Sequence, residues 1–186
     1  MTCILGIETK EGVWMGADSS SVAGDFIEAT NLLKVFKIGK FLIGYTSSFR
    51  MGQLLQYSLR VKEQPKLGMT NIRYMVTVFI PAVRKLLEEN GYTKISDNVE
   101  SGGQFLVAYN GELYEIDIDF QVNSFISGVH AIGSGGEFAK ASALAYMDCG
   151  HSPVDAINNA LASTAKHIST VCEPFDIIYQ EKESWE

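Results

Sequence analysis

Residues that build stapled or metal-held folds are scarce in this sequence. Its three cysteines, Cys3, Cys149 and Cys172, are odd in number and show no CxxC spacing, so neither a disulfide framework nor a zinc pattern is indicated. The three histidines, His130, His151 and His167, stand far apart and match no ligand spacing. No metal and no cofactor is expected. Long apolar runs are missing as well: none approaches the roughly 20 residues that span a bilayer, and no basic segment followed by an apolar stretch opens the chain. The expectation is therefore a cytoplasmic protein with no membrane association. Positive charge is in short supply, with 15 Lys and Arg scattered against 22 Asp and Glu and a net charge of −7. That balance argues against a nucleic-acid partner, because polyphosphates favour clustered basic faces.

What is present is enough for one core. At 186 residues and 46% hydrophobic, with no repeat, low-complexity stretch or linker, the chain reads as a single domain over 1–186. "TCILGIET" and "VWMGADS", separated by "KEG", read as a hairpin of doubly buried strands. "KVFKIGKFLIGYTS" reads as a second hairpin turning at Gly39. Apolar residues then recur at spacings of three and four over 49–63 and 70–90, which predicts two amphipathic helices, the second capped by Thr70, kinked at Pro81 and stopped by Gly91. Strands resume in "GQFLVAYNGELYEIDID", where Asn110-Gly111 is a strong hairpin signal.

"HAIGS" predicts a further strand that runs into a helix over 137–148. Ser152, Pro153 and Asp155 start another helix, with Val154, Ile157, Leu161, Thr164 and Ile168 on one face, and "FDIIYQ" closes the chain as a strand. The order is strands, two helices, strands, two helices, strand. An α+β fold, a four-layer αββα sandwich of two stacked antiparallel sheets with a helix pair outside each, satisfies every apolar face.

The chemistry is concentrated at Thr2. Threonine is small enough for an initiator methionine to be removed before it, after which one residue carries a hydroxyl and a free α-amine. A hydroxyl is a weak nucleophile until a base takes its proton, and an N-terminal amine, with an intrinsic pKa of about 7.7 to 8.0, is suited to that work. Alone, Thr2 is only a permissive second residue. Its company raises its meaning: Asp18 ends the second strand of the first hairpin, Lys34 opens the next strand, and Ser134 ends the strand before a helix. A lysine beside the amine lowers its pKa and stabilises an alkoxide, and an aspartate keeps that lysine charged and oriented. Taken one by one, Asp18 is equally a turn carboxylate and Lys34 an edge-strand charge.

These segments, the N-terminal threonine, "GADSSSVAG", "KVFKIG" and "IGSGGEFA", resemble over nearly the whole chain the N-terminal-nucleophile hydrolases. Within them the likeness is to the proteasome β-subunits and the HslV peptidase of bacteria. The resemblance implies that Thr2 is the nucleophile, that Asp18 and Lys34 form the charge pair beside it, and that Ser134 relays the proton of the amine. It puts Ser47 where the family has the glycine whose backbone N–H forms the oxyanion hole, and it makes Gly24 the glycine of the segment to which a substrate peptide adds as a β-strand. Two departures follow from the same alignment. Ser47 carries a side chain where the family has none, and His167 stands where many members have an aspartate near the nucleophile.

The resemblance further implies a homo-oligomeric ring, stacked face to face with a second, that takes unfolded polypeptides from an HslU-type ATPase. The short start of the chain is similar to that partnered type. The expected function is a threonine endopeptidase, the proteolytic subunit of an ATP-dependent protease. The alternatives are a catalytically silent proteasome-like ring or scaffold, favoured by Ser47 and His167, and a small-molecule amidase of the same superfamily.

Overall fold

A computed structural model describes residues 2–65 and 68–182. Met1, whose removal the expected chemistry requires, lies outside the described residues. The opening hairpin forms as read. β1 (Cys3–Glu8) pairs antiparallel with β2 (Gly12–Ala17), Ile4 facing Ala17, and the Thr9 hydroxyl closes the turn by donating to the Gly12 carbonyl at 2.9 Å. A ribbon that the hydrophobic pattern does not announce follows: β3 (Ser20–Ala23) pairs with β4 (Phe26–Ala29) around Gly24, and all of β4 is exposed. β5 (Val35–Ile38) and β6 (Phe41–Tyr45) make the expected hairpin around Gly39.

Helix α1 (Phe49–Ser58) is shorter than the expected 49–63, because Leu59 turns extended and buries its side chain under the helix, with 2% of its surface exposed. α2 (Asn71–Tyr74), capped by Thr70 as read, widens into a π-helical stretch, Met75–Phe79, and returns to α3 (Ile80–Glu89). Pro81 has no N–H for the preceding turn and its ring crowds the carbonyl four residues back. A widened turn just ahead of it accommodates both, in place of a simple kink. A second unannounced ribbon, β7 (Lys94–Ser96) with β8 (Val99–Ser101), turns at Asp97 and Asn98. β9 (Phe105–Tyr109) and β10 (Glu112–Ile116) join through Asn110 and Gly111 at φ 50° and 80°, positive at both central positions as the tight hairpin turn demands.

β11 (Val122–Asn123) and β12 (Val129–Gly133) lead to α4 (Gly136–Asp148), α5 (Pro153–Ala165) and β13 (Asp176–Glu181). Ser152 caps α5, its hydroxyl accepting from the Asp155 N–H at 3.2 Å. The buried face of α5 is Ala156, Ile157, Ala160, Leu161 and Thr164. Val154 of the expected face is 37% exposed, and Ile168 lies beyond the end of the helix. Alanines on the inner side let α5 sit close to α4, which leaves the larger Val154 outside.

Two antiparallel sheets result, in the orders β12-β1-β2-β13 and β11-β10-β9-β6-β5. Ile4, Met15, Leu42, Leu106 and Ile132 fill the space between them. α1 and α3 bury Met51, Leu55, Val83 and Leu87 against the outer face of the second sheet. α4 and α5 bury Ala139, Ala143, Ile157 and Leu161 against the outer face of the first. The layers are helix, sheet, sheet, helix, as the sequence predicts. Among the described residues no helix is long and apolar enough to cross a membrane.

Candidate active site

Thr2 stands at the mouth of the interlayer, immediately before β1, and is 7% exposed. Cys3 pairs with Gly133 of β12, so the end of that strand runs beside Thr2. Gly133 has φ +90°, and a Cβ there would lie 2.1 Å from the Thr2 carbonyl oxygen. Only glycine permits that approach. Thr2 lines a hollow of about 170 Å³ with Val22, Tyr45, Thr46, Ser47 and Phe49. Larger hollows exist; one of about 340 Å³ lies among Phe41, Leu59, Tyr74 and Tyr109, and none of Thr2, Asp18, Lys34 or Ser134 lines it.

Beneath Thr2 lies a closed polar cluster. The Asp18 carboxylate accepts the Cys3 N–H at 2.8 Å and the Ser20 N–H at 2.9 Å, and both its oxygens accept from Lys34 Nζ, at 3.1 and 3.0 Å. Lys34 also donates to Ser20 Oγ at 3.4 Å. Both side chains of the ion pair are buried, with 1% and 0% exposed. Burial lowers the pKa of Lys34 from its ordinary 10.5, and the attraction of Asp18 opposes the shift. The neighbouring Cys3 thiol is pushed up to about 12, first by burial and then by the Asp18 charge, so it stays protonated.

Ser134 and the loop after α5 complete the floor. The Ser134 hydroxyl is 3.4 Å from the Thr2 carbonyl oxygen and 3.0 Å from the Thr170 hydroxyl. The Thr170 carbonyl accepts from Ser20 Oγ at 2.6 Å, so Asp18, Lys34, Ser20, Thr170 and Ser134 form one connected network. Ser20 and Thr170 are absent from the sequence reading. Ser20 was recoverable, because an aspartate whose side chain accepts the N–H two residues on is a recognised turn device. Thr170 comes from an irregular loop and has no local signature. His167, the aligned counterpart of the aspartate, is exposed and stacks on Phe138, with ring centroids 6.0 Å apart.

Ser47 adopts φ +72°, the left-handed conformation natural to glycine. Ser48 follows as the N-cap of α1, accepting from the Arg50 N–H at 3.1 Å. Among the described residues the Ser47 N–H has no protein acceptor. Gly24 sits at the tip of the β3–β4 ribbon at φ +60°, with nothing within 4 Å of a Cβ built on it. It lines no part of the Thr2 hollow, whereas Val22, two residues earlier on the same ribbon, does. Among the described residues no group of three His, Cys, Asp or Glu is placed to hold a metal.

No protein-family model matches the sequence, and no curated protein matches it. Solved structures do. BPH of Thiobacillus denitrificans in complex with epoxomicin has a TM-score of 0.81 at 16% identity, over 98% of this chain and 100% of the other. HslV of Trypanosoma brucei has a TM-score of 0.70 at 21% identity, over 97% and 99%. Anbu of Pseudomonas aeruginosa, solved as a helical assembly, has a TM-score of 0.63 at 16% identity, over 97% and 81%. The chain therefore has the αββα fold of the proteasome- and HslV-like N-terminal-nucleophile hydrolases.

Proposed function

We propose that the chain is a threonine-type peptidase of the proteasome-like class, with Thr2 as its nucleophile once Met1 is removed. The observation that carries this reading is the Asp18 carboxylate, which holds the Cys3 N–H and Lys34 Nζ at once and so ties a buried charge pair to the backbone of the nucleophile. In the reaction, the Thr2 α-amine accepts the hydroxyl proton and Oγ attacks the scissile carbonyl carbon. Negative charge then develops on the carbonyl oxygen, and the Ser47 N–H stabilises it. The C–N bond breaks, the ammonium proton passes to the leaving amine, and an ester on Thr2 remains. A water activated by the same amine attacks the ester and releases the acid. Lys34 favours the anionic states of Oγ, and Ser134, bonded to Thr170, relays the proton at the amine.

The glycine-like φ of Ser47 weakens the case for a silent ring member, since the departure from glycine keeps the left-handed backbone conformation natural to glycine at that turn. The epoxomicin complex of the T. denitrificans neighbour supports the same chemistry. Self-association is favoured by the large apolar side chains left exposed, Phe26 at 79% and Ile126 among them, and by the helical assembly of the P. aeruginosa neighbour. A closed ring, the form that the resemblance to HslV implies, would take unfolded polypeptides and call for an unfolding ATPase of the HslU type.

Intact mass spectrometry with a peptide epoxyketone tests the reading, because that reagent needs both the hydroxyl and the free amine of an N-terminal threonine. The expected result is loss of the methionine mass and one adduct per chain, absent in Thr2→Ala. A processed chain that takes no adduct would leave the silent scaffold as the better reading.

A further inference from the structure

The loop that carries the Ser47 N–H is tied to a second buried polar cluster, which the peptidase chemistry leaves unused. Gln104, the residue before β9, grips the loop with its backbone: its carbonyl accepts the Thr46 N–H at 3.2 Å, and its N–H donates to Ser47 Oγ at 3.3 Å. Its side chain points the other way along the interlayer, and Nε2 donates to Glu115 Oε1 at 2.8 Å. Glu115 Oε2 in turn lies 3.4 Å from His130 Nε2 and accepts from Asn123 Nδ2 at 3.3 Å. Glu115 is 7% and His130 9% exposed. The His130 ring stacks on Phe125 at 3.7 Å, and its Nδ1 lies 3.3 Å from Lys140 Nζ of α4. The hydrogen bond from His130 is the main cause that holds the Glu115 carboxyl below its ordinary pKa, against the opposing effect of burial.

We propose that Gln104, Glu115 and His130 are positioning residues, which hold the Ser47 N–H aimed at the oxyanion through the Ser47 hydroxyl. The proposal rests on the peptidase reading for its effect on turnover. A non-glycine residue in the left-handed region is strained and needs surroundings that over-determine it. Here the side chain that causes the strain also supplies the tether, which glycine could not make. Ser47 is thus a replacement that exchanges freedom at the turn for a bond to Gln104. An amide–carboxylate bond inside the interlayer fixes Gln104, and it is stiff because Glu115 is held from both sides.

The test uses the full-length protein and three variants, with two readouts. Peptide turnover gives kcat and KM separately, and hydrogen–deuterium exchange of the segment 41–50 reads the loop without requiring activity. Gln104→Ala and Ser47→Gly are expected to lower kcat about tenfold, a fraction of the loss from deleting an oxyanion donor outright, with KM within twofold. Both are expected to raise exchange in the segment. Gln104→Glu sets two carboxyls side by side; its kcat relative to the wild type at the same pH is expected to recover as pH falls, when the new carboxyl takes a proton and donates to Glu115, with His130 and Lys140 the other charged or titratable groups at that site. Ser47→Gly keeps a residue at ease in the turn, so it guards against variants that misfold.

Variants with wild-type kcat and wild-type exchange would overturn the clamp. If the wild type takes no epoxyketone adduct, the peptidase reading fails separately and exchange alone decides: faster exchange in the variants sustains the clamp, and unchanged exchange ends it.

Discussion

Asp18 is the residue on which the site depends. Its carboxylate neutralises the buried Lys34, and two further groups hold it in place, the Cys3 N–H and the Ser20 N–H. Asp18→Asn keeps the shape but leaves a buried ammonium without a counter-charge. Breaking one partner of such a pair costs about 3–5 kcal/mol, so urea unfolding of this variant is expected to show a loss of that order. Lys34 adds a pH signature. Its pKa is lower in the folded chain than the ordinary 10.5, so in that window the unfolded chain binds more protons and stability rises with pH. The rise between the lowered value and 10.5 is expected to vanish in Lys34→Met, as followed by urea midpoints across alkaline pH.

The grouping of residues at this scale was unevenly legible. That Thr2, Asp18, Lys34 and Ser134 come together could be read because each sits at the end of a strand with a marked pattern, and pairing brings strand ends together. Thr170 was not legible, since an irregular loop meets the site only through the fold. Gln104 was not legible because it acts with its backbone on one side and its amide on the other. His167 was misplaced by alignment, for the chain beyond α5 turns its ring outward onto Phe138.

At the scale of elements, the doubly buried strands and the capped helices follow from their residues. The two ribbons do not, because β4 is exposed throughout and β7 likewise. Hydrophobic periodicity reports burial, and an exposed ribbon has little of it to report. Turn chemistry was the remaining clue, in Gly24 with Asp25 and in Asp97 with Asn98. Helix α1 joins this scale to the previous one, since its cap, Ser48, follows Ser47 directly. Ser48→Ala removes the acceptor for the Arg50 N–H and is expected to cost about 1 kcal/mol. Thermal unfolding measures the loss, and faster exchange at 48–52 would locate it at the first turn of the helix.

For the whole molecule, the acidic surface and the exposed apolar side chains pull in different directions. Net charge keeps copies apart at long range, while Phe26 at 79% and Ile126 fully exposed offer contact at short range. Phe26→Asp is expected to leave the melting temperature within a degree or two and to shift the sedimentation profile toward smaller species. A sedimentation profile identical to that of the wild type would remove the β3–β4 ribbon from the association surface. The αββα layering itself was legible in full, because each amphipathic helix pair needs a broad sheet face, and the buried strands form two such sheets.

The buried Asp18–Lys34 ion pair and the buried Glu115–His130 contact share a placement. Asp18 follows β2 and Lys34 precedes β5, so their bond crosses from the first sheet to the second. Glu115 on β10 and His130 on β12 make the same crossing elsewhere in the interlayer. Between them lie Ile4, Leu106 and Ile132, side chains that resist separation of the sheets but offer little against a small slide. A single crosslink would leave the sheets free to swivel about it, whereas two fix translation and rotation together. The groups contributed by opposite sheets, Thr2 from one and Ser47 from the other, therefore keep a common registration even if the hydrocarbon between them loosens with heat.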